Sequence, residues 1–374
     1  MCNTLIDSKS TRQRLIIQMS IPASDQKQQE VNSNVQHLPV IDISALLEGQ
    51  YTSAKVLKVA KQIGKACRHH GFFYISDHGI PLDLELKLEN VAQEFFAQPH
   101  EFKKSLHINS GGKAWRGWFP VGQELTSGLP DQKEGIYLGE DLDMSHPLVL
   151  KQTPFYGANL CPNLEFRKTI INWMEKMHQV GDALMRGIAL SLGLEAERFN
   201  QHGMNEPLQL FRIFHYPPSQ SEQEWGVGEH TDYGVLTILK QDQHGGLQIK
   251  KIEGASEYWI DAPPIEGTFV INIGDMLEKM TGGHYVSTPH RVKNQSSHSR
   301  LSFPYFFDPN YYAELSTLAD LSTGSPPMSK QTQSRWDHAD VQQIKGTYGA
   351  YLLSKVSKVF PELFGQVHYS DINQ

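Results

Sequence analysis

Between residues 206 and 310 the chain breaks into short runs rich in β-branched and aromatic residues: "LQLFRIFHY", "VLTILKQ", "GLQIKK", "YWIDA", "TFVINI", "YVSTPHRV" and "RLSFPYFF". Gly, Pro and Asp punctuate them. Closely spaced strands of this kind close on themselves as a sandwich, jelly roll or barrel. Helical patterns flank the block. Val56, Val59, Ala60, Ile63 and Cys67 fall at helical spacing, and "DLELKLENVAQEFFAQP" reads as a second helix. A long helix is expected from Leu164 to Leu192, with Ile170, Met174, Met177, Val180, Leu184 and Ile188 on its buried stripe. "LPVIDIS" and "GFFYISDHGI" read as strands, and residues 106–160, rich in Gly and Pro, give no clear pattern. The tail "WDHADVQQIKGTYGAYLLSKVSKVF" reads as helical. The expected fold is mainly β, one core buttressed by α-helices rather than two independent domains. Its parts are a mostly helical stretch 38–205, the β core 206–310 and a helical extension 311–374.

A net charge of −7 over 374 residues argues against a generic nucleic-acid binder, which would be basic. The three cysteines, Cys2, Cys67 and Cys161, are too few and too scattered for a disulfide framework or a zinc knuckle. They fit a reducing compartment, and the cytoplasm is the expectation. No apolar run approaches the roughly 20 residues of a membrane span. The first residues, "MCNTLIDSKSTRQRLIIQMS", make a poor signal peptide. Residues 1–37 are expected to be a disordered tail, since "PASDQKQQEVNSNVQH" has little apolar surface to bury.

His-x-Asp occurs twice, at His230/Asp232 and at His338/Asp340, about as often as chance allows in a chain with 17 histidines. Local structure separates the two pairs. Residues i and i+2 share a face on a strand but diverge on a helix. His230 and Asp232 lead into the strand-like "YGVLTILKQ"; the second pair falls in the helical tail. A catalytic metal needs a third ligand, for which His284, His290 and His298 are candidates. Arg300 and Ser302 form the chain's only Arg-x-Ser, again on one strand face. A buried arginine is costly unless it meets an anion, and its fork suits a carboxylate. An internal Arg–Asp pair is the structural alternative. Two imidazoles and one carboxylate are the ligand set of non-haem Fe(II) oxygenases. Zinc hydrolases share it, but no H-E-x-x-H is present.

Several blocks in order, "LPVIDIS", "GFFYISDHGI", "FRIFHYPP", "HTDYGVLTILKQDQHGGLQI", "FVINIGDMLEKMTGGHYVSTPHRV" and "RLSFPYFFDPN", resemble the isopenicillin N synthase-like family of Fe(II)/2-oxoglutarate-dependent dioxygenases. The likeness runs from about residue 38 to 310. It implies a double-stranded β-helix, a jelly roll, with helices outside. It implies that His230, Asp232 and His290 hold Fe(II), and that Arg300, Ser302 and Tyr216 grip the cosubstrate 2-oxoglutarate. Phe214 departs from the asparagine common in plant members. With O2 the expected reaction is hydroxylation of a small polar molecule, an amino acid or related acid, with release of succinate and CO2. Asp232 fills the position that halogenases of this chemistry leave open, so halogenation is not expected. Arg212 shares strand parity with Tyr216 and is a candidate for a substrate carboxylate, with an ion pair at the barrel end as its alternative. Trp118, Phe119 and Tyr137 are candidates for the pocket wall. Two other readings are a same-fold Fe(II) oxidase that does not use 2-oxoglutarate and a non-catalytic jelly-roll binding protein. Neither the primary substrate nor the oligomeric state is legible in the sequence.

Overall fold

The structure, a computed structural model, describes residues 38–218, 225–253, 256–293, 296–318 and 340–367. The tail 1–37 and His338 lie outside the described residues. Fourteen strands are described: β1 (Val40–Asp42), β2 (Phe72–Ser76), β3 (Gly117–Phe119), β4 (Leu125–Thr126), β5 (Leu129–Pro130), β6 (Glu134–Gly139), β7 (Leu208–Tyr216), β8 (Val227–His230), β9 (Leu236–Gln241), β10 (Leu247–Glu253), β11 (Ser256–Asp261), β12 (Phe269–Ile273), β13 (His290–Val292) and β14 (Arg300–Asp308). Eight form one sheet in the order β1-β2-β12-β9-β14-β7-β6-β3, and four form another in the order β11-β10-β13-β8. Only β1 and β2 pair in parallel; the other pairings are antiparallel. The two sheets are the halves of a jelly roll, and residues of both line one cavity.

The period of two decides which side chains enter it. On β14 the register sets Arg300 opposite Tyr216 and Ser302 opposite Phe214 of β7. Alternation carries Arg212 to the same inward row of β7. On the smaller sheet His290 lies directly across from His230.

Helices α1 (Ala54–His69), α2 (Leu82–Phe96) and α3 (Leu164–Ser191) pack together, and α3 lies against β7, β9 and β14. Ser53 and Asn163 start α1 and α3 by accepting the N–H groups of Val56 and Phe166. The expected stripe on α3 is buried along its length. Burying each such side chain stabilises the fold by about 1.5–3 kcal/mol. A short helix α4 (Asp275–Met280) follows β12.

Within the stretch 38–205, expected to be mostly helical, β1, β2, β3 and β6 extend the larger sheet at both edges. The unreadable region 106–160 supplies two of these strands as runs of three and six residues, too short to show a period. One expectation needs correction: the tail is less helical than its composition suggests. Asp340 caps a single 3-10 turn, Val341–Gln343, and helix α5 begins only at Tyr348 and ends at Val359. Gly346 adopts a left-handed φ of 92° just before it, which breaks any continuous helix.

Candidate functional site

The turn after β8 places Asp232 between the ends of β8 and β9. Its carboxylate oxygen Oδ1 lies 3.7 Å from Nε2 of His230 and 3.7 Å from Nε2 of His290. The ligand atoms of these three residues all lie within 4.8 Å of one another, close enough to share one ion. No other group of three or more His, Cys, Asp or Glu with that geometry occurs among the described residues. The rejected candidates point elsewhere. His284 sits in a turn, its Nδ1 2.7 Å from the Thr281 carbonyl, and His298 stacks on His244. The strand expected over "YVSTPHRV" is only three residues long, His290–Val292, and ends well short of His284.

Each side chain is held from behind. Nδ1 of His230 lies 2.9 Å from the Gly228 carbonyl, and Nδ1 of His290 lies 3.3 Å from that of Thr288. A carbonyl acceptor fixes the proton on Nδ1 and turns the Nε2 lone pair toward the centre. The Asp232 oxygen Oδ2 accepts Thr237 Oγ1 at 2.5 Å and Asn272 Nδ2 at 2.6 Å, leaving Oδ1 for the centre. The ring of Phe72 meets His290 edge-on at 5.2 Å.

Burial pushes His290 down to about 4, with His230 adding to the shift, and burial also lowers His230. Burial alone would raise Asp232, but the charge the two imidazoles carry when protonated and the hydrogen bonds from Asn272 and Thr237 outweigh it and hold the carboxyl below its usual range. Neutral imidazoles beside an ionised carboxylate are what a metal ion requires. Two nitrogens and one hard oxygen, with the remaining positions open to a cavity, suit ferrous iron.

The cavity encloses about 1000 Å³ of atom-free space, counting the open solvent at its mouth. Arg300 lines it and is 1% exposed. Its Nη2 donates to Gln241, but Nε and Nη1 have no hydrogen-bond partner among the described residues. The guanidinium lies 4.8 Å from the centroid of the Tyr216 ring, and Ser302 shares the lining. A buried guanidinium with donors left over is an anion receptor.

Arg212 lines the same cavity four residues before Tyr216, about 13 Å along the strand. It is clamped between the rings of Tyr137 at 4.1 Å and Phe306 at 4.8 Å. Glu124 Oε1 lies 3.8 Å from its Nη1, too far for a hydrogen bond. Behind it Glu124 accepts the Tyr137 hydroxyl at 2.5 Å and pairs with Lys133 at 2.9 Å, and Lys133 also pairs with Asp131. All three charged groups are buried.

Three expected wall residues stand elsewhere. Trp118 is buried with its indole N–H on Glu134, 2.8 Å away, and Phe119 packs against Phe360; neither lines the cavity. The order β7-β6-β3 puts their strand two places from β7, behind the wall. Tyr137 lies behind Arg212, lining a smaller neighbouring cavity. Conversely Glu124, Lys133, Thr237 and Asn272 do line the main cavity and were not singled out in the sequence. For the last two there was a signal: each interrupts an apolar run, "VLTIL" and "FVINI", at an inward position.

A jelly roll with two imidazoles and a carboxylate on an interior cavity defines the class of non-haem iron oxygenases. Comparison with known sequences agrees. The profile described as "2OG-Fe(II) oxygenase superfamily" matches residues 207–309, and that of the "non-haem dioxygenase in morphine synthesis N-terminal" region matches residues 38–164. A "Probable iron/ascorbate oxidoreductase" of Dictyostelium discoideum is 45% identical, over 90% of this chain and 98% of its own. A 1-aminocyclopropane-1-carboxylate oxidase of Dictyostelium mucoroides is 36% identical over 88% and 96%. A homoarginine-6-hydroxylase of Oryza sativa subsp. japonica is 34% identical over 76% and 89%. Among solved structures, a full-length Neurospora crassa protein in complex with alpha-KG and thymine aligns with a TM-score of 0.69 at 27% identity, over 86% of this chain and 96% of that one. The chain belongs to the 2OG-Fe(II) oxygenase superfamily. It is an Fe(II)- and 2-oxoglutarate-dependent dioxygenase, an oxidoreductase. No described helix is long and apolar enough to cross a membrane.

Proposed function

We propose that this dioxygenase hydroxylates a small molecule bearing a carboxylate, an amino acid or a related acid, and that Arg212 receives that carboxylate. The observation that carries this reading is Arg212 itself. A guanidinium held between two aromatic rings, its ion-pair partner Glu124 no nearer than 3.8 Å, faces the cavity that holds the triad. Two relatives, a 1-aminocyclopropane-1-carboxylate oxidase and a homoarginine-6-hydroxylase, are named for amino acids.

In this reading His230, Asp232 and His290 hold Fe(II), and Arg300, Ser302 and Tyr216 hold the distal carboxylate of 2-oxoglutarate. Bound iron supplies, with O2 and 2-oxoglutarate, the oxidising chemistry. The protein supplies placement. The carbonyls of Gly228 and Thr288 keep both imidazoles facing inward, while Thr237 and Asn272 keep one carboxylate oxygen turned away. Leu239, Leu247 and Val292 give the cavity apolar walls. Two arginines on one inward face sort two anions, one at each position.

The test is succinate release from purified enzyme with Fe(II), 2-oxoglutarate and a panel of amino acids, each paired with its decarboxylated amine. Substrate-dependent succinate from acids and not from the matching amines is the expected result. Equal turnover of the amines would remove Arg212 from the role. Product formed without succinate would instead favour the oxidase reading that the name of one relative carries.

A further inference from the structure

The family profiles end at residue 309, yet helix α5, Tyr348–Val359, reaches the main cavity. Two of its tyrosines each spend a hydroxyl on a buried aspartate. Tyr348 donates to Asp308 at 2.6 Å, and Tyr351 donates to Asp275 at 2.9 Å. Asp308 and Asp275 are 2% and 0% exposed.

Both aspartates touch the turn 232–235. The other oxygen of Asp308 accepts the backbone N–H of Val235 at 2.8 Å. A Cβ at Gly234 would collide with that carboxylate, so the turn and Asp308 are in direct contact. From the opposite side the start of α4 holds the turn's carbonyls. Asp275 N–H donates to the Asp232 carbonyl at 2.8 Å, Met276 N–H to that of Gly234 at 2.9 Å, and Gly274 N–H to that of Val235 at 3.1 Å. A third link comes from Lys355, whose ammonium lies 5.4 Å from the centroid of the Tyr233 ring. Residues 348, 351 and 355 fall on one face of the helix, at spacings of three and four.

We infer that α5 is a brace for the turn that presents Asp232, and that Tyr348 and Tyr351 are positioning residues for the metal site, acting through Asp308 and Asp275. With Oδ2 engaged by Thr237 and Asn272, Asp232 would hold an ion through Oδ1, and the turn sets where that oxygen lies. Local fixation of a ligand raises metal affinity because less freedom is lost on binding, and partners behind a ligand commonly matter ten- to a hundredfold. Tyr348 and Leu352 also line the cavity, so the same helix meets both the substrate space and the brace.

The inference rests on the reading that Asp232 is a metal ligand, and the test separates the two. Mn(II) is titrated into metal-free full-length enzyme, with free Mn(II) followed by electron paramagnetic resonance. Wild type, Asp232→Ala, Tyr348→Phe, Tyr351→Phe and the double tyrosine variant are compared, with Lys358→Ala on the exposed face of α5 as control. The phenylalanines keep the ring packing and remove only the hydroxyls. Each single variant is expected to weaken Mn(II) binding about threefold, and the double variant about tenfold, with circular dichroism unchanged. At saturating Fe(II) the KM for 2-oxoglutarate should stay at the wild-type value. A double variant that binds Mn(II) as tightly as wild type overturns the brace, whether or not its melting temperature falls. Should it not fold, the two single variants decide on the same criterion. Tight Mn(II) binding by Asp232→Ala overturns the ligand reading and the brace with it.

Discussion

Arg300 and Arg212 face one cavity from adjacent strands, and they are built differently. Arg300 is sealed in, its one hydrogen-bonded nitrogen on Gln241 and two others without a described partner. The two side chains that meet its guanidinium, Tyr216 and Gln241, belong to the core strands β7 and β9. Arg212 is clamped by one ring from the core and one from β6, and its electrostatic neighbour Glu124 comes from the segment before β4. Glu124 is in turn held by Lys133, another residue of that same peripheral stretch. The first receptor depends on strands that define the fold; the second depends on a segment that can vary without disturbing it. A cosubstrate common to a family suits the first, and a substrate peculiar to one member suits the second.

Substitutions can break this contrast. The largest effect is expected at the centre that serves both ends. His230→Ala or Asp232→Ala should lower kcat by at least about three orders of magnitude, with circular dichroism of a folded protein. Retained turnover would dissolve the site. Next, Arg300→Ala should raise the KM for 2-oxoglutarate on the order of a hundredfold, whichever acid is the substrate. Arg212→Ala should raise the substrate KM about ten- to a hundredfold and leave the KM for 2-oxoglutarate unchanged. If both variants shift the same KM, the two ends are not separate receptors.

The same contrast explains what could be read in advance. Arg300 and Ser302 sit on an unbroken nine-residue strand, where alternation alone puts them on one face. His290 was one of three candidates, because the strand that carries it is three residues long and choosing among them needed the pairing with His230. Around Arg212 the sequence misled. Trp118 and Phe119 looked like wall residues because aromatic side chains line pockets, but they also fill cores, and only the sheet order shows which. Glu124, Asp131 and Lys133 are of types that mostly lie at the surface. Nothing local announces that they neutralise one another in the interior. The C-terminal helix is expected from the sequence, yet nothing local marks its tyrosines, since their partners Asp308 and Asp275 lie 40 and 76 residues away.

The smallest effect is expected on stability, from a group beside both regions. Asp308 lines the cavity, and burial pushes it up to about 7, against hydrogen bonds from Tyr348 and Val235 that pull it down. An unfolded aspartate titrates near 4. Between those values the folded chain keeps a proton that the unfolded chain has lost, so the stability from this group is complete below about pH 4 and is lost as pH rises through about 7. Asp308→Asn removes the titration while keeping an acceptor for the Val235 N–H. The expected result is a flatter stability profile in urea between pH 5 and 8, with wild type losing on the order of a few kcal/mol at most relative to the variant across that range. Parallel profiles would mean that Asp308 is already ionised at pH 5, its charge held by its hydrogen-bond donors and by the field of Arg212, and the cavity would then carry one more negative charge opposite the receptor proposed for the substrate.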